Sequence, residues 1–144
     1  MMKEKYKYPT VIQSIANIRD DLKIFAERTE LPASELRQIT LIVEELFSKI
    51  IRFAFQSEGN HFLELSLSIQ DKEISIEMRD DGKAYNPIDD HSEQQYDPAF
   101  RDDGGMGLSL IKAFCDSIHY TREEHGNKLL IIKTIRGQAE NHQT

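Results

Sequence analysis

The chain has 144 residues, 39% of them hydrophobic and 30% charged, a balance that suits one globular domain able to bury its own core. Its formal net charge of −7 argues against a general nucleic-acid binder, which needs a basic face to meet phosphates. No apolar run approaches the roughly 18 residues of a membrane helix, the start MMKEKYKYPT lacks a secretory apolar stretch, and Cys115 is the lone cysteine. These features point to a reducing, cytoplasmic setting without membrane contact.

In chain order, Ile15, Ile18, Leu22, Phe25 and Ala26 recur at helical spacing and predict a first helix ending near Arg28. Pro32 and Ser34 then punctuate the chain, and Ser34 has the chemistry of an N-cap. Leu36, Ile39, Val43, Leu46, Ile50 and Phe53 form a continuous apolar stripe, a second helix running to about Gln56. Leu63, Leu65, Leu67 and Ile69 alternate along one strand, and Asp71-Lys72 turns the chain into Ile74, Ile76 and Met78 of the next. Periodicity vanishes from Lys83 to Gly104, which reads as a long, mobile loop; loops of this length in a compact domain are usually functional or disordered. Met106 to Asp116 reads as a third helix with Leu108, Ile111 and Phe114/Cys115 inward. Ile118–Arg122 and Lys128–Ile135 read as a closing hairpin, with a polar tail from Gly137 to Thr144. There is no internal repeat or linker, so residues 1–144 are expected to form a single domain. The element order predicts an α+β fold, a two-layer sandwich with helices on one face of a mixed, mostly antiparallel sheet.

Two segments carry chemistry. Asp80-Asp81-Gly82-Lys83-Ala84-Tyr85-Asn86-Pro87 comes directly after a strand. An acid held at a strand end can accept a hydrogen bond from an exocyclic amine, and glycine lets a planar ring approach the backbone; alone, the same residues also describe an ordinary turn. Gly104-Gly105-Met106-Gly107 opens a helix, where backbone N–H groups can converge on an anion, although a flexible join to a helix has the same composition. Glu44 and Glu45 lie mid-helix, Glu45 beside the apolar stripe, where it is either part of a solvated face or a base at a rim. The five histidines lack metal-site spacing, and neither a Gly-x-Ser-x-Gly elbow nor a P-loop is present. Cys115 falls on an apolar helix face and reads most simply as a core residue.

Taken in order, Glu45 to Phe55, Asp80-x-Gly82-x-x-Tyr85-Asn86-Pro87, Arg101-x-x-Gly104-Gly105-Met106-Gly107-Leu108 and Gly126-Asn127-x-Leu129 resemble the GHKL, or Bergerat-fold, ATP-binding domains. The likeness is to the anti-sigma-factor serine/threonine kinase branch related to histidine kinases, and it spans about Val11 to Ile135. The resemblance implies ATP as ligand, with Asp80 on the adenine amino group, Gly82 making room for the base and Tyr85 beside it. It implies Gly104, Gly105, Met106, Gly107 and Leu108 around the phosphates, and residues 83–104 as an ATP lid. It further implies Glu45 as the residue orienting or deprotonating an attacking serine hydroxyl, and Arg101 as a lid arginine reaching the terminal phosphate. A sigma factor and a small anti-sigma antagonist are the partners it implies, with the chain acting as a homodimer.

One position departs from the family pattern. Relatives carry a magnesium-binding asparagine four residues after the glutamate, and here that position is Lys49, which has three donors and no acceptor. The segment Lys83–Gly104 offers six acids against two bases, which adds no positive charge to offset a triphosphate. Mg²⁺ is therefore doubtful. Either Lys49 stands in as the cation on the phosphates, or it pairs with Glu45 one turn earlier and occupies the base. The first reading gives a kinase-type regulator. The second gives a non-catalytic module that keeps the fold and a nucleotide- or partner-binding surface. A detached catalytic domain serving a histidine acceptor is a third reading, disfavoured by the lack of a dimerisation helix pair. The Lys128-Leu129-Leu130 stretch falls where relatives often place a threonine near the adenine.

Overall fold

The computed structural model describes residues 2–55, 61–89 and 101–136, with only the helical backbone described for 101–106, and among these residues there are five strands and three helices. They are β1 (Met2–Pro9), α1 (Ser14–Thr29), α2 (Ala33–Ala54), β2 (Phe62–Gln70), β3 (Glu73–Asp80), α3 (Arg101–Phe114), β4 (Ser117–Glu123) and β5 (Gly126–Thr134). The strands form one sheet in the order β1-β2-β3-β5-β4. Every neighbouring pair is antiparallel, so the mixed sheet expected from sequence is in fact uniform.

The strand β1 has no counterpart in the sequence reading. Its residues alternate all the same: Lys3, Lys5 and Lys7 stay exposed while Tyr6 and Tyr8 turn inward. The two tyrosine rings stack at 6.2 Å, and the Tyr8 hydroxyl donates to Asp21 Oδ2 on α1 at 2.7 Å. β1 thus closes one edge of the sheet and tethers it to the first helix.

The helices pack on one face only, because alternate residues of each strand are apolar on that side. Leu63, Leu65 and Leu67 of β2, Ile74, Ile76 and Met78 of β3, and Leu129 and Ile131 of β5 are buried there. They meet Ile18, Leu22 and Phe25 of α1 and Ile39, Val43, Leu46 and Ile50 of α2. The α2 stripe is as its spacing predicts, with Leu36 and Phe53 half-buried at its ends.

Three boundaries differ from expectation. Pro32, not Ser34, precedes α2; its φ of −58° and ψ of 149° bring the chain into the helix at once, and its carbonyl accepts the Leu36 N–H at 3.0 Å. The proline ring fixes φ and bars the residue before it from the helical region, so the helix starts directly afterwards. At the other end, α2 stops at Ala54, with Phe55 extended. The helix α3 begins at Arg101, five residues before the predicted Met106. The sequence places Asp102 and Asp103 in its first turn, where negative charge favours a helix start.

At the end of the domain away from Asp80, Lys133 of β5 and Glu35 of α2 are both buried and joined Nζ to Oε1 at 2.6 Å. The second oxygen of Glu35 accepts the Arg136 N–H at 2.9 Å, so the carboxylate is served on both sides. The pair pins the first turn of α2 to the last strand.

Candidate nucleotide site

Asp80 is the last residue of β3 and lies opposite Asn127 of β5. The strand pleat turns its side chain to the helical side, where it is 8% exposed. Its Oδ1 accepts the Gly82 N–H at 2.8 Å and Asn127 Nδ2 at 2.9 Å. Burial pushes the Asp80 carboxyl above its ordinary value, while these two donors pull the other way by favouring the charged form. A buried carboxylate with one oxygen held by N–H groups presents its other oxygen as a strong acceptor.

Gly82 sits where no side chain fits: a Cβ there would stand 2.6 Å from the Ala54 carbonyl oxygen. The next residue, Lys83, donates its N–H to that carbonyl at 3.0 Å, so the turn after β3 is stitched to the end of α2. Beyond it stands Tyr85, its ring 5.3 Å from that of Phe53 on the last turn of α2.

Glu45, nine residues back along α2, is half-buried, and its carboxylate lies directly against Gly107 of α3; a Cβ on Gly107 would overlap its Cδ and Oε2. Between these two levels stands Lys49, fully buried. An i,i+4 pairing at an exposed surface is therefore not its situation. Leu108 and Ile111 are buried behind Gly107 and seat α3 on the core.

The structure thus brings Asp80, Gly82 and Tyr85 together at the C-terminal end of α2 and sets Gly107 on Glu45 further down the same helix. Nine residues of helix separate the two levels by about 14 Å along the axis. Gly104 and Gly105 stand within α3 rather than before it, so their backbone is helical instead of an open loop. The side chains of Arg101 and Met106, and the lid residues beyond Asp89, lie outside the described residues. Among the described residues no group of three or more His, Cys, Asp or Glu side chains could hold a metal ion. Lys49 offers donors only, so that side chain cannot ligate a magnesium ion. A cavity of about 370 Å³ lined by Lys7, Phe62, Glu64 and Arg79 touches Asp80 from the opposite, open face of the sheet. It faces the strand's back rather than the carboxylate.

Asn127 stood in the sequence only as part of the Gly126-Asn127-x-Leu129 motif, with no role assigned to it, and is the site residue that sequence reasoning missed. Besides Asp80, its Nδ2 reaches the Lys83 carbonyl at 2.9 Å, while its Oδ1 accepts the Tyr85 N–H at 3.2 Å, Arg122 Nη1 at 3.3 Å and the Tyr120 hydroxyl. The signal was the Gly126-Asn127 pair in the closing hairpin, one residue before the stretch taken to stand at this place.

Residues 9–133 match the histidine kinase-like ATPase domain. The anti-sigma F factor of Oceanobacillus iheyensis is 26% identical over 130 residues, 89% of each chain. The serine/threonine-protein kinase BtrW of Bordetella bronchiseptica is 29% identical over 99 residues, 65% of this chain and 66% of that one. In fold, the chain is similar to the RsbU and RsbW domains of Rv1364c from Mycobacterium tuberculosis, with a TM-score of 0.67 at 9% identity over 94% of this chain and 33% of that one. The histidine kinase domain of Erythrobacter litoralis EL346 gives 0.56 at 15% identity over 92% and 64%. With its antiparallel sheet, its helices on one face and an acid–glycine turn at the end of β3, the chain belongs to the histidine kinase-like ATPase domain family.

Proposed function

We propose that the chain is an ATP-binding regulator of the anti-sigma-factor serine/threonine kinase type. The observation that carries this reading is the span of α2, which meets the Asp80–Gly82–Tyr85 cluster at one end and holds Glu45 against Gly107 at the other. Asp80 takes the adenine amine, Gly82 and Tyr85 flank the base, and Gly104, Gly105, Met106, Gly107 and Leu108 lie at the phosphate end. Glu45 takes the proton of a serine hydroxyl as its oxygen bonds to the γ-phosphorus and the bond to the β-phosphate oxygen breaks, releasing ADP. Arg101, at the start of α3, supplies positive charge to the transferring group. With no metal ligand at position 49, Lys49 is assigned to charge neutralisation at this end, as a point charge rather than an octahedral centre.

The kinship with an anti-sigma F factor and with BtrW supports a sigma factor and a serine-bearing antagonist as partners; a homodimer as the working form is part of the same proposal. A sigma factor acts where transcription does, so the proposed setting is the cytoplasm. No helix among the described residues is long and apolar enough to cross a membrane.

The decisive experiment titrates ATP with and without Mg²⁺ against wild type, Asp80→Asn and Lys49→Asn, following thermal stability and then phosphate transfer to a serine-bearing antagonist protein. ATP should stabilise wild type with or without the metal, because stabilisation scales with occupancy. Unchanged affinity in Asp80→Asn removes the adenine assignment. ATP binding without any transfer identifies the second reading, a nucleotide-responsive module that has lost the chemistry; the full burial of Lys49 beside the candidate base is what favours it.

A further inference from the structure

Asn127 makes more hydrogen bonds than its place in a hairpin requires. Two donor contacts from Nδ2 (Asp80 Oδ1 and the Lys83 carbonyl) use both of its hydrogens. Three donors converge on Oδ1: the Tyr85 N–H, the Tyr120 hydroxyl and Arg122 Nη1. The amide cannot be turned over, since reversal would set its NH₂ against three donors and its oxygen against a carboxylate. Arg122 also reaches the Gly82 carbonyl at 2.7 Å, closing the network on the turn itself. Residues Gly82 to Tyr85 are thereby fixed at three backbone groups, two of them to Asn127 of β5 and one to Arg122 of β4.

We propose that Asn127 is a positioning residue for base recognition, which selects the oxygen of Asp80 that meets the ligand and locks the turn that carries Gly82 and Tyr85. The inference rests on the reading of Asp80 as the adenine acceptor. With Oδ1 holding two N–H donors, Oδ2 faces the base, and because both donors favour the ionised form it stays an acceptor. An acceptor there suits the amine of adenine and opposes the carbonyl that inosine or guanine carries at the same ring position. A hydroxyl residue could not replace the amide: one O–H donates once, and the Lys83 carbonyl and Asp80 cannot both be served.

The test is calorimetric titration of ATP and of inosine triphosphate into the full chain, from about pH 5 to pH 8, which spans the range between carboxylate and histidine titration. Wild type is compared with Asp80→Asn, Asn127→Ala, Asn127→Thr and Tyr120→Phe. Loss of the amide should weaken ATP about tenfold or more, as expected for a buried acceptor left without its charge-favouring donor. It should also narrow the preference for ATP over inosine triphosphate, because an Asp80 that turns or protonates can donate to the inosine carbonyl. The acidic limb of ATP binding should move to higher pH, since the donor removed is one that held the carboxyl down. Tyr120→Phe, which takes one donor from Asn127 Oδ1, should shift the same readouts less; it decides the matter if Asn127→Ala does not fold. A merely structural Asn127 would lower the melting temperature and leave the nucleotide preference and the acidic limb in place, and that result overturns the proposal. If wild type ignores ATP and Asp80→Asn changes nothing, the site reading falls and this inference with it. If Asp80→Asn weakens ATP while the Asn127 variants keep the wild-type preference, only this inference falls.

Discussion

Glu45 on α2 closes over Gly107 on α3 so tightly that the glycine's missing side chain is what makes room for the carboxylate. A packed contact of this kind ties the position of a candidate base to the helix that carries the glycine-rich segment. Gly107→Ala should push Glu45 out of place and destabilise the fold by roughly 1–3 kcal/mol, as overpacking of a filled site does. Serine phosphorylation should fall more than ATP affinity does. Chemical denaturation together with a radiolabelled transfer assay measures both effects.

A second expectation concerns pH. Burial raises the Asp80 carboxyl above 3.8, so in the window just above that value the folded chain holds a proton that the unfolded chain has released. This group's contribution to stability therefore declines as pH rises through the window. Bound ATP favours the carboxylate, so the extra melting temperature conferred by ATP should shrink on acidification through the same window. Asp80→Asn should abolish that pH dependence of the ATP effect. Differential scanning calorimetry at a series of pH values tests it.

The position of Lys49 makes a third. Lys49→Asn removes a fully buried cation from the level between Tyr85 and Glu45. ATP binding without metal should weaken, and Mg²⁺ should restore it only in the variant. Equal ATP affinities for the two proteins in EDTA would contradict a role for Lys49 in neutralising phosphate charge.

The Tyr8–Asp21 hydrogen bond supplies a fourth. Tyr8→Phe keeps the ring in place and loses only the hydroxyl, so stability should drop by about 1 kcal/mol. The loss should fall on β1, seen as faster hydrogen exchange for the amides that pair the Lys7 end of the strand with β2.

Much of this architecture is written in residue spacing. The α2 stripe and the β2–β3 hairpin carry their core residues at the helical and strand periods, and packing on one face is what such patterns require. The missed strand β1 shows where period alone falls short. Three lysines, a glutamate and two tyrosines do not look apolar, and the strand holds because its tyrosines bury against α1 while its lysines remain in water. The early start of α3 was hidden by Gly104 and Gly105, whose low helix propensity is overridden by the acids before them and by Leu108 and Ile111 seating the helix. At the site, Asp80 and Gly82 were legible because a strand-end acid next to a glycine turn has a mechanical meaning. Asn127 was not, because its role depends on the register that sets β5 beside β3, a pairing of residues far apart in the chain.

The Glu35–Lys133 pair links residues 98 positions apart, both sealed from water. Loss of either charge alone strands its partner in the core at roughly 3–5 kcal/mol, whereas exchanging both for well-packed apolar side chains can be neutral. Substitutions at the two positions are thus selected jointly. In descendants of this chain, position 35 and position 133 should drift as a unit or stay put, even though neither touches the nucleotide end of the domain.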